Sequence, residues 1–195
     1  VEWYCDFCIK EMKLFPLFPT QVIAHDLENY SDYRNKLIRY CYQDQKDSDG
    51  VKISNIGGWQ SEHKQIDLLS DIYEELSASL STYLSTQFAF SMPWVNINPP
   101  GTSNERHTHP GSDLSVVMYV KVPENSGAIE MTNPAYIESF NLLSSVRPEA
   151  NLAPSISITP LEGRVLIFPS NILHRVLENE SDDDRISISW NVKVL

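Results

Sequence analysis

Basic residues are scarce: 15 lysines and arginines stand against 26 aspartates and glutamates, a formal net charge of −11. A surface of that sign repels polyanions, which disfavours a general nucleic-acid or anionic-membrane binder and favours solubility. Long apolar runs are missing too. No stretch approaches the length of a membrane span, and no pattern of charged, apolar and small residues resembles a secretory signal. Cysteine is sparse and odd in number, at three, so a disulfide scaffold is disfavoured and a reducing cytosol is the default compartment. Cys5-Asp6-Phe7-Cys8 has the spacing of a zinc knuckle or redox pair. No second Cys/His pair follows at finger spacing and no strand–helix unit at thioredoxin spacing, so it reads as coincidence. Repeats and low-complexity tracts are absent.

What is present is enough for one core: 195 residues, 42% of them hydrophobic. Met12-Lys13-Leu14-Phe15-Pro16 would make a natural translation start, so residues 1–11 read as an extension and 12–195 as a single domain. A first strand is expected across 14–24, with its prolines at the permissive start. Leu27, Tyr30, Tyr33, Leu37, Tyr40 and Cys41 recur at helical spacing, predicting an amphipathic helix to about Gln43. A glycine-rich turn around Trp59 follows. Ser61 then looks like the N-cap of a second helix reaching about Thr86, with Ile66, Leu69, Ile72, Tyr73, Leu76, Leu80 and Tyr83 on one stripe.

Beyond Thr86 the pattern changes to short β-branched and aromatic segments between Pro, Gly and Asn turns: 88–98, 105–109, 113–122, 127–132, 155–159, 163–168, 172–178 and 185–194. Many short strands predict an antiparallel sandwich or jelly roll, and helices preceding strands predict an α+β layout with helices bracing one sheet. The proline-punctuated interruption 133–154 has the length of a functional lid or a disordered segment.

The chemistry gathers on few residues. Of only five histidines, His107 and His109 lie two apart in a predicted strand, where alternate side chains share a face. His174 follows far downstream, and then Arg185-Ile186-Ser187. A close pair, a distant histidine and an Arg-x-Ser strand suggest a mononuclear iron site whose arginine holds a cosubstrate carboxylate. Ferrous iron accepts imidazole and carboxylate ligands. The position two after His107 carries a histidine where a facial triad has a carboxylate. Three histidines are therefore the favoured ligand set, with Asp113 as the nearest carboxylate alternative and a site using only two of the histidines as a third. Arg185, Ser187, Ser189 and Asn191 alternate with Ile186, Ile188, Trp190 and Val192, a polar face toward a cavity and an apolar face toward a core. The competing reading is an outer strand with Arg185 paired to Asp182-Asp183-Asp184. Tyr119 shares a face with Ser115 and Val117 and could donate to the same carboxylate. Asn96 and Asn98 are either structural or pocket-lining. His25 and His63 read as surface or hydrogen-bonded residues.

These residues also carry a family resemblance. Leu14-Phe15-Pro16, Pro19-Thr20-Gln21-Val22, the turn Ser54-Asn55-Ile56-Gly57-Gly58-Trp59-Gln60-Ser61 and Trp94-Val95-Asn96 belong to the matching set. So do His107-Thr108-His109-Pro110 with Leu114-Ser115, Phe168-Pro169-Ser170 with His174, and Arg185-Ile186-Ser187-Ile188-Ser189-Trp190-Asn191. Together they resemble the 2-oxoglutarate- and Fe(II)-dependent oxygenases related to prolyl hydroxylases, in a branch found in bacteria and in phages of marine bacteria. The resemblance implies a double-stranded β-helix core of the cupin-like jelly-roll type. It further implies iron on His107, His109 and His174, 2-oxoglutarate on Arg185, and hydroxylation of a C–H bond with O2, releasing succinate and CO2. Ascorbate is an optional reductant. Val116 and Met118 depart from that pattern, where glycine and tyrosine are usual. The expected setting is the cytoplasm, that of the host if the gene is phage-borne, without membrane or nucleic-acid partners; strand edges leave a homodimer open.

Two other classes compete. Gly101 with His107, His109 and Asp113, followed by Gly163 with Pro169 and His174, resembles the two cupin motifs, implying a metal protein that needs no 2-oxoglutarate. A non-catalytic jelly-roll binding module is the third reading, and it leaves the histidines without a joint purpose.

Overall fold

The computed structural model describes residues 20–134 and 153–195. The Cys5/Cys8 pair, the strand start at 14–19 and most of the 133–154 interruption fall outside the described residues.

Two antiparallel sheets face one another. The larger is built from β1 (Ile23–Asp26), β3 (Trp59–Gln60), β4 (Phe88–Phe90), β5 (Trp94–Asn98), β7 (Leu114–Lys121), β10 (Arg164–Pro169) and β12 (Arg185–Val194). Its order is β1-β10-β7-β12-β5-β3, with β4 pairing to the far end of β12. The smaller contains β2 (Asn55–Ile56), β6 (Ser103–His107), β8 (Ile129–Thr132), β9 (Ser155–Ile158) and β11 (His174–Val176), in the order β2-β6-β11-β8-β9. Helices α1 (Tyr30–Asp47) and α2 (Ser70–Leu80, led by a 3-10 turn at Asp67–Leu69) precede most of the strands. This is the expected α+β double-stranded β-helix with bracing helices.

Strand alternation assigns the two faces of the larger sheet. Val95, Ile97, Val116, Met118, Val120, Val165, Ile167, Ile186, Ile188, Trp190 and Val192 join Leu37, Cys41, Leu69, Ile72, Leu76 and Leu80 from the helical layer in one core. Each fully buried aliphatic side chain there contributes about 1.5–3 kcal/mol through loss of apolar surface from water. Trp190 is fully buried and meets Tyr73 and Phe90 edge-on. The opposite face carries Trp94, Asn96, Ser115, Arg185, Ser187 and Ser189, which look into the space between the sheets. One strand thus supplies both a core and a cavity wall because its side chains alternate every residue.

Three expectations about element ends are corrected. The second helix begins at Ser70, not Ser61, and stops at Leu80, short of Thr86. Ser61 is extended: its N–H donates to Val95 O at 2.9 Å and its Oγ accepts from Val95 N at 2.9 Å. A hydroxyl suited to capping a helix here satisfies a strand instead. The segment 88–98 divides into β4 and β5 around Ser91-Met92-Pro93, where proline cannot donate to a ladder. The first described strand begins at Ile23.

Candidate metal centre and cosubstrate pocket

His107 ends β6 and His174 opens β11, and the two are Cα partners in the antiparallel pairing of these strands. His109 lies past the end of β6, anchored by its N–H to Ser170 O at 2.9 Å. The pair is therefore one strand residue and one turn residue, not two strand residues. The three rings converge, with centroids 4.4 to 5.2 Å apart, and each offers a nitrogen within 4.8 Å of the others.

Hydrogen bonds select the tautomers. His107 Nδ1 lies 2.7 Å from Glu105 O and His174 Nδ1 lies 2.8 Å from Ile172 O. A carbonyl only accepts, so each Nδ1 carries a proton and Nε2 is the nitrogen left to face a metal. The Asn191 side chain lies near the His109 ring and accepts from Ser115 Oγ at 3.3 Å. Burial and neighbouring histidines push His109 down to about 4. Burial does the same to His174, also to about 4. Both are neutral at physiological pH, as ligands must be. Three converging imidazoles, two of them held through Nδ1 by backbone carbonyls, suit ferrous iron.

Asp113 is not part of this group. Its carboxylate turns outward, accepting from Val194 N at 2.8 Å and pairing with Lys193 at 3.1 Å, away from the histidine cluster and the cavity. Among the described residues, the cluster holds histidines alone.

Arg185 and Ser187 line the same cavity as the three histidines, as does Asn96. Arg185 is 2% exposed. Its Nη2 donates to Asn98 Oδ1 at 2.8 Å and its Nη1 to Gly127 O at 3.2 Å, while Nε has no partner. Burial lowers the guanidinium to about 10, so it remains charged at neutral pH. No carboxylate among the described residues pairs with it: Asp183 pairs with Lys121 at 2.7 Å, and Asp184 accepts from Tyr42 at 2.9 Å. The outer-strand alternative for Arg185 is thereby excluded. An unpaired buried cation with a free N–H is a fit for an anionic ligand such as 2-oxoglutarate. Tyr119 is the cross-strand partner of Ser187 and lies buried beside Phe168, Ile129 and Ile172. Burial raises its phenol to about 12, leaving the hydroxyl a donor. Asn98 supports Arg185 without lining the cavity.

Several participants escaped sequence reasoning. His63 stacks on Trp94 (centroids 4.6 Å, 14° between planes), and Trp94 stacks in turn on His109 (5.6 Å, 25°). His63 is thus a support, not a bland surface residue; His25, by contrast, hydrogen-bonds Glu75 at 2.6 Å as expected. Asn104, Ser54 and Gly127 complete the surroundings of Arg185. The Gly57-Gly58 turn was the available signal for Ser54. Nothing local marks the others.

Two facing antiparallel sheets with a histidine cluster between them define a double-stranded β-helix with a candidate metal site. Solved structures agree on the fold. The chain superposes on a Pseudomonas putida prolyl-4-hydroxylase with a TM-score of 0.61 at 13% identity, covering 89% of this chain and 92% of that one. It superposes on a Trichoplax adhaerens prolyl hydroxylase, in complex with a hypoxia inducible factor peptide fragment, at 0.59 and 15% identity (88% and 83% covered). HygX from Streptomyces hygroscopicus, bound to nickel, 2-oxoglutarate and hygromycin B, gives 0.59 at 9% identity (89% and 83% covered). A search of curated proteins finds no match. Residues 92–191 match the family model described as "Putative 2OG-Fe(II) oxygenase", and the chain belongs to this family of 2-oxoglutarate- and Fe(II)-dependent oxygenases. The matched span runs from just before β5 to Asn191 and includes all three histidines and Arg185.

Proposed function

We propose that the protein is a dioxygenase that hydroxylates a C–H bond, with His107, His109 and His174 holding Fe(II) and Arg185 pairing with the distal carboxylate of 2-oxoglutarate. The observation that carries this reading is the buried, carboxylate-free Arg185 on the wall of the cavity into which the three imidazoles converge. When bound, iron with 2-oxoglutarate supplies the oxidising power: one oxygen of O2 enters the substrate C–H bond, the other enters succinate, and CO2 leaves.

The chain's own residues do the positioning. Carbonyls of Glu105 and Ile172 hold Nδ1 of His107 and His174, which leaves Nε2 of each ring as the nitrogen available to a metal. Trp94 stacks on His109 and limits its rotation. Arg185 offers its unpartnered Nε–H inside a desolvated wall, where a charge-assisted hydrogen bond is strong. Ser187 adds a hydroxyl on the cavity wall, and the buried Tyr119, which does not line the cavity, lies near Arg185. The apolar lining from Val117, Ile129 and Phe168 limits water near the reacting centre. Ascorbate would serve to keep the iron ferrous.

Anaerobic addition of Fe(II) and then 2-oxoglutarate to metal-free protein tests the reading through the visible absorption that iron and a chelating 2-oxo acid produce together. A band lost in His174→Ala and in Arg185→Ala supports it. Iron uptake without a band would favour the cupin-type alternative. No metal uptake would leave a binding module. The primary substrate is sought among peptides and small molecules, both represented on neighbouring structures.

A further inference from the structure

A buried guanidinium usually faces a carboxylate, because an unpaired charge out of water costs several kcal/mol. Around Arg185 both acceptors are neutral, the Asn98 amide and the Gly127 carbonyl. The orientation of the amides follows from that. Arginine only donates, so Asn98 must present Oδ1 to it and point Nδ2 away. Asn98 Nδ2 then donates to Asn104 Oδ1 at 3.1 Å, and Asn104 Nδ2 donates to Ser54 Oγ at 3.2 Å. All four residues are buried, between 1% and 8% exposed. The relay starts in the glycine turn, outside the family-matched span. A Cβ on Gly58 would stand 2.9 Å from Ile97 O and 3.0 Å from Asn98 Nδ2, so the turn's close approach is part of the same packing.

On the functional reading above, we propose that Asn98 is the positioning residue for 2-oxoglutarate. Its amide, set by Asn104 and Ser54, fixes Arg185 without cancelling its charge and so reserves the guanidinium for the cosubstrate's distal carboxylate. The identity of the residue matters more than its shape. Asn98→Asp is isosteric and keeps an acceptor toward Arg185, but it delivers a permanent counter-ion. The relay tolerates the change: Asn104 can turn its amide to donate to the new carboxylate, and the Ser54 hydroxyl can then donate to Asn104 Oδ1.

The experiment is calorimetric titration of the nickel-loaded full chain with 2-oxoglutarate and, separately, with 2-oxopentanoate, which chelates through the same 2-oxo acid group but lacks the distal carboxylate. Asn98→Asp is expected to weaken 2-oxoglutarate by roughly tenfold to a hundredfold, the worth of one hydrogen-bonded charge. It leaves 2-oxopentanoate and nickel binding unchanged. In an Arg185→Ala background the same substitution adds no further loss, because Asn98 acts through that arginine. Wild-type affinity for 2-oxoglutarate in Asn98→Asp overturns the proposal, as does equal weakening of both acids, which would mark a merely structural role. A wild-type protein that takes up nickel but not 2-oxoglutarate overturns the functional reading, and this proposal with it.

Discussion

His107 and His174 stand directly opposite each other where β6 pairs with β11, with ring centroids 4.4 Å apart. Cross-strand register thus places two imidazoles on one spot, and each ring is held from behind by the carbonyl two residues earlier in the chain. The cluster is a property of the strand pairing, so it forms only when the sheet forms.

Loss of either of these rings should therefore cost metal affinity without unfolding the sheet. His174→Ala is expected to reduce Ni(II) or Fe(II) affinity by more than the roughly tenfold to hundredfold typical of disturbing a ligand's support. Calorimetric metal titration checks this. Asp113→Ala, by contrast, should leave affinity at the wild-type level, since its carboxylate serves Val194 and Lys193.

The metal-free protein should lose stability as pH falls from about 6.5 toward 4. His109 and His174 sit near 4 in the folded chain, below the ordinary histidine value of 6.5. The unfolded chain consequently takes up protons first, and each proton taken up favours unfolding. Thermal midpoints measured across that window should fall less steeply for His174→Gln than for wild type. Identical slopes would count against burial of a neutral His174.

Trp94 is held between His63 and His109, so its indole fixes a ring as well as filling space. Trp94→Leu should destabilise by about 2–4 kcal/mol, as for truncation of a large buried side chain. Metal affinity should drop roughly tenfold as the His109 ring gains freedom. His63→Ala should show a smaller effect on both. Denaturant unfolding combined with metal titration separates stability from affinity.

Gly127 has φ +86°, and a Cβ there would stand 2.3 Å from Leu177 O and 2.6 Å from Glu178 O. Gly127→Ala must move backbone that also carries the carbonyl accepting from Arg185. A loss of about 1–3 kcal/mol in unfolding free energy is expected from strain at such a position. It should be accompanied by weaker 2-oxoglutarate binding with metal affinity retained, read by the same two titrations.

What the chain order alone determined are the features that depend on near neighbours. Alternation along 185–192 assigned one face to the core and one to the cavity, because a strand's period is two residues whatever it packs against. The stripe Ile72, Leu76 and Leu80 marked its helix for the same kind of reason, and the histidine spacing singled out the three residues whose rings converge. Tertiary structure decided the rest. Ser61 became a strand partner of Val95, not a helix cap, because the strand offered its hydroxyl an N–H. Asp113 was drawn to the end of β12, and His63 was recruited through Trp94 from a loop of no distinguishing composition. The relay from Ser54 through Asn104 and Asn98 to Arg185 joins residues as far apart as 54 and 185. Local propensity has no term for such contacts. They exist because a buried donor must find an acceptor, and only the folded sheets determine which one is within reach.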